Sequence, residues 1–156
     1  MIELNIPGLE PIQLRHLVCD VNGTLALDGR LEPELTKRLR DLSDRLNIHL
    51  VTADTHGRQE AIDQRLGIKA ERIAPEDEGA AKARFVGSLG AESVIAFGQG
   101  ANDAEMLAAA GVGVAVMSKE GLALQTLNAA DLVMPDIHAA LDLVEKPLRL
   151  VASLRR

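Results

Sequence analysis

The stretch Leu17-Val18-Cys19-Asp20-Val21-Asn22-Gly23-Thr24-Leu25 decides the fold. An apolar run stops at a carboxylate, and a glycine and a hydroxyl follow at once. A short run that is apolar on both faces is what a strand buried inside a parallel sheet requires. An acid at the end of that run sits at the carboxyl edge of the strands, where such sheets bind ligands. Gly23 lets the chain turn away sharply, and Thr24 can tie the turn down through its hydroxyl. Taken alone, the stretch also fits a strand end that merely meets solvent, so its surroundings must decide.

Outward from this strand, strands and helices alternate. Upstream, residues 2–6 alternate apolar with polar and read as a short edge strand stopped by Pro7-Gly8. Downstream, Asp28-Gly29 marks a turn. Leu31, Leu35, Leu39, Leu42 and Leu46 recur at helical spacing and predict a helix over 31–46, with Pro33 in its first turn. Residues 48–51 form a second strand running into Thr52-Ala53-Asp54. Helices are predicted over 58–66, 78–89, 104–110 and 121–128, the first three closed by Gly67, Gly90 and Gly111. Strands are predicted over 70–74, 93–97, 112–117 and 132–134, and 137–154 is helical with an interruption at Pro147. The pattern predicts an α/β fold: one three-layer domain over residues 1–156 with a mainly parallel sheet and right-handed crossovers. Its core runs from about 14 to 135, and a helical segment follows over about 136–154. That segment's apolar residues, Ile137, Leu141, Val144, Leu148, Val151 and Leu154, pack on the sheet or on a second subunit, which leaves a homo-oligomer open.

Composition narrows the function classes. Apolar residues make up 47% of the 156, so the chain can bury a core. Aromatics are 1%, Phe85 and Phe97 alone, so there is no platform on which bases could stack. The net charge of −6 argues against nucleic acid as a partner. Cys19 is the single cysteine and lies in an apolar strand, which fits buried filler and excludes an internal disulfide. No apolar run reaches the ~18 residues of a membrane span, and Met1–Asn5 has no basic start or long apolar core, so no membrane partner and a cytoplasmic location are expected.

Three strand ends carry polar groups: Asp20 after the first core strand, Thr52 and Asp54 after the second, Asn102 and Asp103 after the strand over 93–97. Each has a plain alternative, since Thr52 fits a turn former, Asn102-Asp103 a helix cap and Lys82 a solvated helix face. Gathered at one sheet edge they make a shared site. An aspartate there can attack phosphorus and form an aspartyl phosphate. Asp20, Asp103 and the Asn22 main-chain carbonyl offer hard oxygen ligands of the kind Mg2+ prefers, completed by water and a substrate phosphate. Thr52 can donate to a phosphoryl oxygen, and Lys82 can set a compact positive charge beside it.

These residues resemble the haloacid dehalogenase superfamily of phosphotransferases. Its Asp-x-Asp-x-Thr motif is matched by Asp20-Val21-Asn22-Gly23-Thr24, its hydroxyl motif by Thr52, its lysine by Lys82 and its acidic loop by Gly98–Asp103. Within the superfamily the chain is most similar to the phosphorylation domain of P-type ATPases. Their Asp-Lys-Thr-Gly-Thr falls on Asp20–Thr24, their Thr-Gly-Asp through Leu-Gly-Ile on Thr52 through Ile68, their Gly-Asp-Gly-x-Asn-Asp on Gly98–Asp103, and their Ala-Ala-Asp on Ala129-Ala130-Asp131. The resemblance spans roughly His16 to Met134. Only 27 residues separate Thr24 from Thr52, too few for the nucleotide-binding domain of a pump. The implied molecule is therefore a soluble, capless, Rossmann-like relative of that domain. Small capless phosphatases of sugar-acid phosphates resemble it too, and those form tetramers.

The resemblance implies Asp20, Asn22, Thr52 and Lys82 as the catalytic set. It implies phosphate binding by Asp20, Asn22, Gly23, Thr52, Ala53 and Lys82, and Mg2+ binding by Asp20, Asn22, Gln99 and Asp103. Thr24, Asp54, His56 and Asn102 are expected at the margin. Two departures stand out. Asn22 replaces an aspartate that serves as general acid and base, a loss typically worth ~10²–10⁴-fold, and Gln99 replaces a metal-binding aspartate. His56 is a candidate substitute proton donor. Two functions follow as expectations: a slow Mg2+-dependent phosphatase acting on a phosphorylated substrate of unknown identity, or a phosphate- or metal-binding regulatory protein that has lost the reaction.

Overall fold

In a computed structural model describing residues 1–54 and 57–156, the apolar runs become the strands of one parallel sheet. The chain opens with β1 (Ile2–Leu4) and β2 (Ile12–Leu14), an antiparallel pair outside the main sheet. Then come β3 (His16–Asp20), the short hairpin β4 (Ala26–Leu27) and β5 (Arg30–Leu31), α1 (Pro33–Leu42), β6 (Asn47–Thr52) and α2 (Gln59–Leu66). The second half runs β7 (Glu71–Arg72), α3 (Glu78–Ser88), β8 (Val94–Gly98), α4 (Ala104–Ala109), β9 (Val112–Val116), α5 (Leu124–Ala129), β10 (Leu132–Met134), α6 (Ile137–Glu145) and α7 (Leu148–Leu154). The main sheet has six strands in the order β10-β9-β8-β3-β6-β7, and every neighbouring pair is parallel.

The pleat sends alternate residues of β3 to opposite faces. Leu17 and Cys19 join a core with Leu35 and Leu39 of α1, Ile62 of α2, Leu141 and Val144 of α6 and Leu150 of α7. Val18 joins a second core with Val86 of α3 and Met106 and Leu107 of α4. The domain is thus a three-layer α/β structure, as the alternation predicts. β3 lies between β6 and β8, with Asp20 level with Val51 and Cys19 level with Phe97. This register brings the carboxyl ends of β3, β6 and β8 together at one edge.

Several boundaries differ from the sequence-based expectation, each for a local reason. The helix predicted from Leu31 starts at Pro33, because Leu31 belongs to a hairpin whose tip, Asp28-Gly29, holds positive φ of 50° and 72°. That is the twist a two-residue hairpin turn needs. The same helix stops at Leu42, and Leu46 is buried from the turn that follows. The strand expected over 2–6 ends at Leu4 and pairs with β2, a three-residue element too short to leave a periodic signal. The strand expected over 70–74 contracts to Glu71–Arg72, and the helix expected from Gly121 begins at Leu124. Pro147 splits the last helix in two. Ala140, Leu141, Leu143 and Val144 bury the inner face of α6 in the chain's own core. Among the described residues no helix is long and apolar enough to cross a membrane.

Candidate active site

Asp20 is the last residue of β3 and is buried. Directly beyond it the chain folds back tightly: Leu25 and Ala26 both donate their amides to the Val21 carbonyl, at 3.0 and 2.9 Å, and Gly23 donates to the Ala26 carbonyl at 2.8 Å. Gly23 sits at φ 84°, and a Cβ there would lie 2.5 Å from Gln99 Oε1, so only glycine fits. The turn carries Thr24 back towards the strand end, where its hydroxyl donates to Asp20 Oδ2 at 3.1 Å.

Lys82 enters from the second turn of α3 and is fully buried. Its ammonium donates to Asp20 Oδ1 at 2.9 Å and to Asp103 Oδ1 at 2.8 Å, and it pairs with Glu78 Oε1 at 2.9 Å. An ammonium has three hydrogens, and all three are engaged. Asp103 is buried as well, and its other oxygen accepts the amides of Gln99 and Gly100 at 2.8 and 3.0 Å. Asp103 therefore shapes the loop after β8 and anchors the lysine. A Cβ on Gly98 would lie 2.5 Å from the Asp103 Cβ, so the close approach of that loop depends on glycine.

Three carboxylates around one ammonium leave a surplus of negative charge. Burial, and then the charge of Asp103, push the Asp20 carboxyl up to about 7, against the pull of Lys82 and Thr24. Burial alone would lower the Lys82 ammonium, but the Asp20 and Asp103 carboxylates outweigh it and hold it above the ordinary lysine range.

Thr52 closes the other side. Its hydroxyl oxygen accepts from the Asp54 amide at 2.9 Å and from Asn22 Nδ2 at 3.2 Å. Its own hydrogen has no acceptor among the described residues, so one donor is left for a ligand. Asp54, at φ 51°, accepts the Gln59 amide at 3.2 Å and so serves the turn into α2, with Ala53 between it and Thr52. Asn102 is exposed in a single turn of 3-10 helix and makes no bond to the cluster. His56 lies outside the described residues. The structure thus joins Asp20, Thr24, Lys82 and Asp103 in one bonded group and links Asn22 to Thr52 beside it.

Residues 86–137 match the haloacid dehalogenase-like hydrolase family. Over 92 residues, 56% of this chain and 99% of the relative, the sequence is 35% identical to an uncharacterized protein of Methanocaldococcus jannaschii. The chain belongs to the haloacid dehalogenase (HAD) superfamily of hydrolases. It is also 29% identical over 121 residues to the probable copper-importing P-type ATPase A of Enterococcus hirae, which is 76% of this chain and 16% of the ATPase. The fold is similar to the cobalt-bound deoxy-D-mannose-octulosonate 8-phosphate phosphatase of Haemophilus influenzae, with a TM-score of 0.70, 17% identity and coverage of 91% of this chain and 90% of that one. Among the described residues, the segment between β3 and α1 holds only the short hairpin β4–β5.

Two acids of this HAD site were invisible in the sequence reading. Glu78 stands one helical turn before Lys82, a pairing whose signal was the i, i+4 spacing. Glu120, in the loop after β9, brings Oε2 to 3.4 Å from where a Gly23 Cβ would be, beside Gln99 Oε1. Nothing in the spacing pointed to it. Gln99 donates Nε2 to the Gly121 carbonyl at 2.9 Å, which turns its side-chain oxygen towards Gly23. The donors that could face a metal are then all oxygen: the Asp20 carboxylate, the Asn22 carbonyl, the Gln99 amide oxygen and the Glu120 carboxylate. Asp103, expected among the ligands, accepts from Lys82 and two amides, as Asp20 accepts from Lys82 and Thr24, so a metal would share the oxygens of either carboxylate with these bonds. Among the described residues no group of three or more His, Cys, Asp or Glu is arranged to hold a metal. A sparse, oxygen-only set with surplus negative charge fits a hard divalent cation that keeps much of its water.

Proposed function

We propose that the protein is a Mg2+-dependent phosphohydrolase working through an aspartyl phosphate on Asp20. One observation carries this reading: Asp20 is held by Lys82 and Thr24 at a strand tip, with an unspent hydroxyl donor, Thr52, across the turn. Mg2+ held by Asp20, the Asn22 carbonyl, Gln99 and Glu120 would offset the charge of phosphoryl oxygens. Asp20 forms an O–P bond as the bond to the leaving oxygen breaks, and Thr52 donates to a non-bridging oxygen. Lys82 fixes the orientation of the carboxylate and screens it from Asp103. Asn22 has no acidic proton to give, so the leaving oxygen takes its proton from solvent or from His56, the candidate donor named from the sequence. Water then attacks the acyl phosphate, releasing inorganic phosphate and restoring Asp20. Without a general base this step is slow.

An amide in place of an acid at Asn22 also supports a second reading, a phosphate-binding regulator with no turnover. One experiment separates the two. With Mg2+ and para-nitrophenyl phosphate, the hydrolase releases phosphate, and Asp20→Asn abolishes it. Replacing Asn22→Asp and Gln99→Asp together raises the rate about 10²-fold or more. No release from the wild type, together with stabilisation by beryllium fluoride that Asp20→Asn removes, would select the regulator. Release that survives Asp20→Asn would remove Asp20 from the chemistry.

A further inference from the structure

The two segments that leave the Asp20 site do not close on each other. The β4–β5 hairpin follows Thr24, α2 follows the Thr52–Asp54 turn, and between them lies a trough of about 820 Å³. A second hollow of about 550 Å³ at the hairpin tip shares two of its walls, Arg30 and Arg58. Arg65 lines the trough one level further along α2.

Three guanidiniums therefore converge on one concavity of a chain whose net charge is −6. Arg58 gives one hydrogen to the Asp28 carbonyl at 2.7 Å, and Arg65 gives one to the Leu31 carbonyl at 3.1 Å. Those bonds aim the two side chains and leave most of the five hydrogens on each guanidinium unspent. Arg30 has no hydrogen-bond partner among the described residues, and none of the three faces a carboxylate within ion-pair distance. Arg72, Arg84 and Arg149, by contrast, each hold one, and Arg38 holds two. The hairpin tip packs against Arg58: Gly29 holds φ 72°, and a Cβ there would lie 2.7 Å from Arg58 Cδ, so the arginine stem crosses directly over the turn. Glu60 and Asp28 are the acids on the walls, and neither pairs with the arginines.

The arginines outnumber the acids on these walls, so the hollow favours anions, and guanidinium forks match carboxylate and phosphate oxygens. The walls of the trough, 29–33 and 57–65, follow closely in the chain on the segments that end in Thr24 and Asp54, and Arg30 also lines a neighbouring hollow with Thr24. We infer that Arg30 and Arg58, supported by Arg65, bind a second anionic group of the substrate, a carboxylate or a phosphate, while its scissile phosphate meets Asp20. This rests on the phosphohydrolase reading above and narrows it: the preferred substrate is a phosphomonoester with a further negative charge.

The test compares phosphate release from 2-phosphoglycolate and fructose 1,6-bisphosphate, which carry a second anion of each kind, with release from para-nitrophenyl phosphate, which carries none. At low salt, kcat/KM for the better of the first two exceeds that for the third by tenfold or more. The double variant Arg30→Gln, Arg58→Gln lowers that ratio about tenfold through KM, and 0.5 M KCl does the same to the wild type. Arg58→Lys, which keeps the charge and loses the fork, falls between. Titration of the two doubly charged esters into Asp20→Asn by calorimetry reads the site without turnover, and Arg30→Gln, Arg58→Gln in that background weakens binding about tenfold. Cleavage of all three esters with a ratio the arginine variants leave unchanged would overturn the second-anion site and leave the hydrolase standing. No cleavage, with arginine-dependent binding retained, would overturn the hydrolase and leave the anion site.

Discussion

β3 and β6 lie side by side, and the pair carries polar side chains at both ends. At the entry end His16 Nδ1 meets His49 Nε2 at 3.0 Å, with the edge of Phe85 against the His49 ring at 5.6 Å between centroids. At the exit end Asp20 meets Lys82 and Asn22 meets Thr52. The two ends treat charge oppositely. Burial, then the neighbouring Arg15 for His16 and His16 itself for His49, holds both imidazoles below their usual range, which favours the neutral rings. At the exit end the Lys82 ammonium is kept charged by Asp20 and Asp103, and the loop amides of Gln99 and Gly100 bond Asp103 in place of water, although burial and Asp103 push the Asp20 carboxyl up to about 7. A buried ion needs such a shell.

The largest break in this contrast is Lys82→Met. It leaves Asp20 and Asp103 buried without a counter-charge, and the expected loss is about 3–5 kcal/mol of unfolding free energy in urea. A cost below about 1 kcal/mol would mean that the exit end does not depend on its ammonium. Next is Glu120→Gln, which sharpens the account of the cation. The Mg2+ concentration giving half-maximal thermal stabilisation should rise roughly tenfold, and an unchanged midpoint would detach Glu120 from the metal. The smallest effect belongs to the entry end. A folded-state histidine pKa below the unfolded value of 6.5 means that the unfolded chain binds more protons, so this contribution to stability is present above pH 6.5 and is lost as pH falls through the folded pKa. His49→Phe should flatten that part of the melting-temperature profile between pH 7.5 and 5. A variant profile parallel to the wild type would show that the imidazoles carry none of it.

Much of this was legible in the sequence, and the parts that were not share a cause. The alternation of strands and helices and the polar residues at three strand ends were local signals, and the register brings those strand ends together at one edge. Lys82 was legible only by resemblance, since a lysine on a helix otherwise reads as solvated. The β4–β5 hairpin hid because two-residue strands have no period, and Leu31 matched the helical spacing of its successors by coincidence. Glu120 and the arginine trough depend on how separate loops approach in space, which no spacing records. The His16–His49 contact needs the sheet register, in which His49 stands opposite Val18 and His16 opposite Asn47.

Cys19 immediately precedes Asp20 and is fully buried, its thiol pushed well above the ordinary range by burial and by the neighbouring carboxylate. An alkylating reagent can therefore reach it only when the central strand leaves the sheet. The rate of a single mass increment, on a chain with no other thiol, is a built-in clock for excursions of the strand that ends at Asp20, and any ligand seated on Asp20 should slow it.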